Sequence, residues 1–551
     1  MNGLERLIDA NAIARLRERD ASLFSDDVDG RIPIVQRLGW TDLAQKAPGR
    51  LPLLDGLADA LTAEGATDVL LLGMGGSSLA PLVLDRIIGA APGHPRLHVL
   101  DTTSPIQVTE LLAVLDRETT YVIIASKSGT TIEPLSLYAI VRRWLEAGGM
   151  SRPDAGRRCV VITDQGTPLE KLRQRELMRM ALAAPSTVGG RYSALSMFGL
   201  TPAAIIGIDL PALIARAQAM ETACAASAEE NPAATLAAWM VDAWAAGDDK
   251  LTLVFSERLQ PFGLWVEQLV AESLGKGGVG VVPVIEYDPA MPTGYGDDRA
   301  VVVVRFEADA ELAAWSRQVA AEHPVFELTV TDVFDIGAEF VRWEHAVALA
   351  GFLMEVNPFD EPSVTEAKQA TTAILEGGAS SVPQAQWDLD GTWATFAGAL
   401  DVPAAAPTTR IEALRAAIAA VAPDDYLALL VYAPEDEARL RPLREACTRI
   451  ARDTGRAVCL ELGPRYLHST GQLHKGGPDT GVFVLVTARD RTDIDIPGKP
   501  FTLGALHRAQ AEGDLVTLAR HGRRVLRLDV PRSDASSLRS LAVDLAEASE
   551  R

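Results

Sequence analysis

The chain has 551 residues, 48% of them hydrophobic and 23% charged, and its 52 Lys and Arg against 74 Asp and Glu give a net charge of −22. At roughly 150 residues per domain this length predicts three or four domains, and the apolar content excludes an intrinsically disordered chain. So acidic a surface repels phosphate backbones and anionic membranes at long range, which argues against nucleic acid or a membrane as partner. A small anion held in a local basic pocket stays open.

The opening MNGLERLIDANAIARLRERD is charged throughout and lacks the apolar core of a signal peptide. No stretch reaches the roughly 18–20 apolar residues that span a bilayer, so a cytoplasmic protein is expected. Residues 1–50 are predicted as a helical arm. An amphipathic stretch, LLDGLADALTAEG, then leads into the apolar runs DVLLLG, RLHVLD, YVIIAS and CVVITD, with helical patterns between them. Short β-branched runs separated in this way predict βαβ units around a buried parallel sheet, here over 51–205. After a helical stretch from about 210 to 247 the rhythm resumes with KLTLVFS, VGVVPVIEY, AVVVVRF and FELTV, predicting a second α/β domain over 206–378. GGASSVPQAQ and DVPAAAPTT read as connecting segments. YLALLVYA, AVCLELG and VFVLVT then predict a C-terminal α/β extension over 379–551. Cys159, Cys224, Cys447 and Cys459 form no C-x-x-C pair, so neither a disulfide nor a zinc site is expected.

Two loops point to phosphate. The first strand runs into LLLGMGGSSLAP, where Gly73, Gly75, Gly76, Ser77 and Ser78 would let the backbone approach a ligand and present a helix N-terminus to an anion. A nucleotide, a sugar phosphate or a tight structural turn each fits that loop; Asp101, ending the next strand, stands where a ribose-binding acid would sit. The second loop, YVIIASKSGTTIEPL, puts the hydroxyls of Ser126, Ser128, Thr130 and Thr131 beside Lys127 at the end of an apolar strand. A helix cap needs one hydroxyl, so four of them favour a dianionic phosphate.

Acid–base candidates follow. In GLWVEQLVAESLGKGGVG, Gln268, Glu272 and Lys276 recur every four residues and share a helix face. Glu272 is either partly desolvated, with a pKa raised into proton-transfer range, or a member of a solvent-facing ladder. Arg191, after two glycines in GGRYSALSMFGL, either neutralises a developing oxyanion or bonds loop carbonyls. Lys368, in VNPFDEPSVTEAKQAT, reads as a surface residue by itself.

Taken in order, these motifs resemble the glucose-6-phosphate isomerase family. They are G-x-G-G-S at Gly73–Ser77, S-K-[ST]-x-T-T at Ser126–Thr131, G-G-R-[YF]-S at Gly189–Ser193, E-S-x-G-K at Glu272–Lys276 and F-D-x-x-x-V-x-x-x-K at Phe359–Lys368. The resemblance implies an α/β fold of two sugar-isomerase domains and an aldose–ketose isomerase of glucose 6-phosphate and fructose 6-phosphate working through ring opening and an enediolate. It implies Glu272 as the proton-shuttling base, Arg191 as the enediolate's counter-charge and Lys368 at ring opening. It places Gly76, Ser77, Ser126, Lys127, Ser128, Thr131 and Gln268 around the substrate. A homodimer with residues shared between subunits is implied, and proton transfer of this kind calls for neither metal nor redox cofactor. A broader phosphosugar isomerase accepting mannose 6-phosphate, or a binding protein without chemistry, are the competing readings; Glu272 and Arg191 argue against the latter.

The family's ring-opening histidine stands between the glutamate and the lysine, and MPTGYGDDRAVVVV holds none there. His323 and His345 read as structural. RYLHSTGQLHKGGPDTG, similar to the C-terminal part of bacterial isomerases that also occur fused behind a transaldolase, leaves His468 and His474. His474, in a Gly-flanked loop before a buried strand, is the expected ring opener.

Overall fold

The computed structural model describes residues 1–287, 295–377, 383–384 and 386–550. Three sheets organise them. The first contains β1 (Asp68–Leu72), β2 (Arg96–Leu100), β3 (Thr120–Ala125), β4 (Cys159–Asp164) and β5 (Met180–Ala184), all parallel, in the order β2-β1-β3-β4-β5. The second contains β6 (Lys250–Phe255), β7 (Val282–Ile285), β8 (Arg299–Phe306) and β9 (Val325–Val330), again parallel, in the order β7-β6-β8-β9. Leu70–Leu72, Val122–Ile124 and Val301–Val304 are fully shielded from solvent, as expected of strands covered by helices on both faces.

The C-terminal sheet is mixed. Strands β12 (Tyr426–Val431), β13 (Ala457–Leu462), β14 (Gly481–Ala488) and β15 (Arg524–Val530) are parallel, while β10 (Trp387–Leu389) and β11 (Thr392–Gly398) form an antiparallel hairpin along β15. Sequence pattern does not reveal β5, the hairpin or β15. Met180–Ala184 carries no β-branched residue and lies at a sheet edge, and Arg524–Val530 alternates charge with apolar residues.

The expected N-terminal arm is a run of short helices folded against the body. Leu7, Leu16, Ile34 and Trp40 are buried in the main core, and a Cβ on Gly3 would meet the Ala238 backbone at 2.9 Å. The C-terminal sheet is tied to the others through shared cores. Leu503 and Leu506 join Leu70 and Ile124 under the first sheet, and Tyr466 and Leu473 join Ala271 and Val282 of the second. No helix among the described residues is long and apolar enough to cross a membrane.

In the first sheet the chain turns outward in opposite directions after β1 and β3, which makes their carboxyl ends the crevice where open α/β sheets receive ligands. Both glycine- and hydroxyl-rich loops leave from that point.

Candidate active site

The loop after β1 is shaped by its glycines. Gly75 has φ +53°, and a Cβ there would sit 2.8 Å from Gln268 Nε2 and 2.9 Å from the His468 carbonyl oxygen. A Cβ on Gly76 would collide with the Gly190 carbonyl, so Gly76 lets the segment that carries Arg191 close over the loop. After β3, Ser126 Oγ pairs with Thr131 Oγ1 at 2.8 Å and accepts from the Gly129 N–H at 3.1 Å, folding the hydroxyl loop into a compact turn. Ser128 and Thr131 face a cleft of about 400 Å³ that Gly76, Ser77, Lys127, Arg191, Gln268, Glu272 and Lys368 also line.

Opposite the phosphate-type loops stands the helix Phe262–Leu274. Trp265, Leu269 and Leu274 bury it, so Glu272 is enclosed rather than part of a solvent-facing ladder. Gln268 Nε2 donates to Glu272 Oε2 at 3.3 Å and to the His468 carbonyl at 2.6 Å. Burial raises the Glu272 pKa and the nearby Glu361 charge adds to it; Arg191, His468 and Lys276 pull it down, and the net is upward. Lys276 lies beyond the helix end, where its ammonium donates to the Asn357 carbonyl and Asp360, clamping the loop that precedes Glu361.

Arg191 is buried and almost fully committed. Its Nε donates to Ser273 Oγ at 2.8 Å and its Nη2 to the carbonyls of Pro358 and Asp360 at 2.8 and 2.9 Å. The remaining Nη1 faces two carboxylates, Glu361 at 3.2 Å and Glu272 at 3.5 Å. Arg191 therefore bonds loop carbonyls and also turns Nη1 toward Glu272 and Glu361.

The cleft's histidine is His468, at the end of the short helical turn Arg465–His468 that follows β13. Its Nε2 lies 2.9 Å from Glu133 Oε1, which also accepts from Gln510 Nε2 at 2.7 Å. Burial raises the Glu133 pKa, but the His468 charge and hydrogen bond outweigh it and hold this carboxyl below its ordinary value. A carboxylate on one ring nitrogen fixes the imidazole's orientation and leaves the other nitrogen for chemistry.

A family model described as phosphoglucose isomerase matches residues 55–291. A glucose-6-phosphate isomerase of Rubrobacter xylanophilus is 31% identical over 370 residues, covering 58% of this chain and 85% of that relative. The chain belongs to the phosphoglucose isomerase family. Among solved structures, a hypothetical protein of Thermus thermophilus superposes with a TM-score of 0.58 at 28% identity, over 68% of this chain and 96% of that one. A glucose-6-phosphate isomerase of Chlamydia trachomatis gives 0.52 at 20% identity, over 66% of this chain and 78% of the other, a likeness of fold.

Within this family member the expectation for His474 needs correcting, and other expected residues take particular places. His474 does not reach the cleft. It is 2% exposed, its ring 5.0 Å from Phe483, 6.1 Å from Tyr466 and 6.2 Å from Tyr426. Burial, with Lys475 and Arg523 nearby, pushes its pKa far down and keeps it neutral. Ser126 sits behind the loop it shapes rather than on the cleft wall. Lys127 lines the cleft, but its ammonium donates to Asp164 at 2.6 Å and to the Ser186 carbonyl at 3.0 Å, so its charge is already countered. Asp101 is spoken for by Arg465, at 2.7 and 2.9 Å, which removes the ribose-binding alternative. His345 is structural as expected: its ring packs edge-on to Trp40 at 4.8 Å, and burial pushes its pKa down to about 4.

Sequence reasoning did not single out Arg37, Glu133 or Glu361. Glu133 stands two residues after the hydroxyl run and Glu361 directly before the helix Pro362–Leu375, so each lay inside a quoted motif. Arg37 reaches the cleft from the N-terminal helices, donating to the Phe359 carbonyl at 3.1 Å, and no local signal marks it.

Proposed function

We propose that this chain interconverts glucose 6-phosphate and fructose 6-phosphate, with Glu272 as the base. One observation carries the assignment. A buried carboxylate with an upward-shifted pKa, Glu272, shares a cleft with Arg191 and with a hydroxyl-rich loop at the switch point of a parallel sheet. The phosphate is assigned to Ser128, Thr131 and Lys127, with Ser77 and Gly76 completing the cradle from the β1 loop.

Ring opening needs a proton taken from O1 and one given to O5 while the C1–O5 bond breaks and C1=O1 forms. His468, oriented by Glu133, and Lys368, which lines the same cleft, are assigned this exchange. Glu272 then takes the C2 proton, the electron pair forms the C1–C2 double bond of the enediolate as the C1=O1 pair moves onto O1, and return of the proton to C1 with transfer of the O2 proton to O1 gives the ketose. Arg191 Nη1, 3.5 Å from Glu272, supplies positive charge where oxygen charge develops. All these side chains come from one chain, so His468 needs no second subunit to reach its place.

The test is a coupled assay of fructose 6-phosphate turnover with wild type and Glu272→Gln. The variant is expected to lose at least about a thousandfold in kcat with little change in KM. Activity surviving the substitution removes Glu272 from the mechanism, and an inactive wild type favours a sugar-phosphate-binding role.

A further inference from the structure

A second cavity of about 400 Å³ lies on the far side of the catalytic wall. The two spaces share a partition: Gln268 and His468 face the cleft while their chain neighbours Glu267 and Ser469 face the second cavity. Its floor is the carboxyl end of β13, with Leu460, Glu461 and Leu462, and its rim is the segment after β12, with Glu435, Asp436 and Glu437.

The charges on its wall do not balance. Arg465 is held by Asp101 and Glu435, Arg86 pairs with Glu435 at 2.8 Å, and Arg444 pairs with Glu437 at 2.8 Å while lying 4.9 Å over the Tyr287 ring. Asp436 caps the next helix and holds Arg439. Glu267 and Glu461 are left over. Both are more than nine-tenths buried, at 7% and 4% exposed, and neither forms an ion pair among the described residues. Glu461 Oε1 has no hydrogen-bond partner. Unpaired buried carboxyls of this kind are costly and rare away from a ligand. Burial and their mutual repulsion hold Glu267 well above the ordinary carboxyl range, and burial carries Glu461 to about 7 against the opposing pull of Thr470 and Arg465.

We propose that this cavity binds a small organic cation, its ammonium groups on Glu267 and Glu461, and that its occupancy is felt in the catalytic cleft through the shared partition. An ammonium donates into both carboxyls and favours their ionised forms, releasing the protons that burial holds there, which a neutral polyol does not. Among the described residues no three His, Cys, Asp or Glu side chains converge as a bound metal ion would require, so an organic cation is preferred to a metal. Coupling follows from adjacency. Drawing Glu267 toward a ligand turns the helix that carries Gln268 and Glu272, and movement of the Arg465–His468 turn moves the imidazole.

The probe is 1,4-diaminobutane, titrated calorimetrically into the full chain, with 1,4-butanediol as the neutral molecule of equal length. Wild type is expected to bind the diamine saturably with one site and to ignore the diol. Because a surface of net charge −22 attracts any diamine weakly, the deciding comparison is with Glu461→Gln and Glu267→Gln, each expected to weaken the saturable site at least tenfold. Saturating diamine is expected to change kcat/KM for fructose 6-phosphate at least twofold in wild type and not in Glu461→Gln. Absence of a saturable site, equal binding of the diol, or undiminished binding by both variants overturns the site. Saturable binding with unchanged kcat/KM overturns the coupling. The calorimetry reads the cavity even if the chain does not turn over this sugar phosphate.

Discussion

Glu361 competes with Glu272 for one guanidinium, and removing its charge has a calculable effect on the base. Their carboxylate oxygens lie 3.2 and 3.5 Å from the same Arg191 Nη1, which puts them within about 7 Å of each other. Two unit charges about 6 Å apart at an effective dielectric near 20 repel by about 2.8 kcal/mol, a ceiling of about two pKa units. Arg191 lies against both and the Glu361 side chain is 30% exposed, so about half that ceiling is expected to survive screening. In Glu361→Gln the repulsion is gone, the ionised form of Glu272 is favoured, and its pKa falls. A base must be deprotonated to act, so the acid limb of the kcat/KM profile for fructose 6-phosphate is expected to move down by about one pH unit. The plateau is expected to drop a few-fold, because a less basic carboxylate takes the C2 proton less readily. An acid limb that stays in place, or moves up, refutes the electrostatic link between the two carboxylates.

The remaining expectations concern the histidines and the lysine. His468→Gln is expected to lower turnover of the cyclic substrate by about a hundredfold with KM little changed, whereas His474→Gln is expected to leave kcat near wild type and lower Tm, because His474 packs among Tyr426, Tyr466 and Phe483. Equal losses of turnover in the two variants count against the choice of His468. Asp164→Asn releases the Lys127 ammonium from its 2.6 Å partner, and KM for fructose 6-phosphate is expected to fall several-fold at constant kcat; a rise in KM means that Asp164 instead holds Lys127 in its binding position.

Much of the fold was legible because its strands are buried on both faces. Runs such as Val301–Val304 announce themselves by composition, and the glycine and hydroxyl clusters mark the strand ends where a parallel sheet receives its ligand. Met180–Ala184 escaped for the complementary reason: it is partly exposed and made of Met, Ala and Leu. In the site, Glu272 and Arg191 stood inside recognisable motifs, but which histidine faces the cleft was not readable. His468 and His474 lie six residues apart in similar surroundings. The Arg465–His468 turn sends one toward Glu133, 335 positions away, and the helix Gly471–Gly476 carries the other into an aromatic cluster of the same C-terminal segment; tertiary packing makes that choice. Glu361 was hidden for a different reason, because its importance lies in a partner 170 positions distant.

His468 and Gln510 lie on a turn and a helix that flank the last sheet of the chain, whereas Glu133 and the hydroxyl loop follow β3 of the first. During synthesis Glu133 therefore leaves the ribosome 335 residues before its histidine partner, and their hydrogen bond forms only once the final third of the chain has folded onto the rest. Once joined, the two halves travel on one covalent thread, so dilution cannot separate His468 from the cleft it completes.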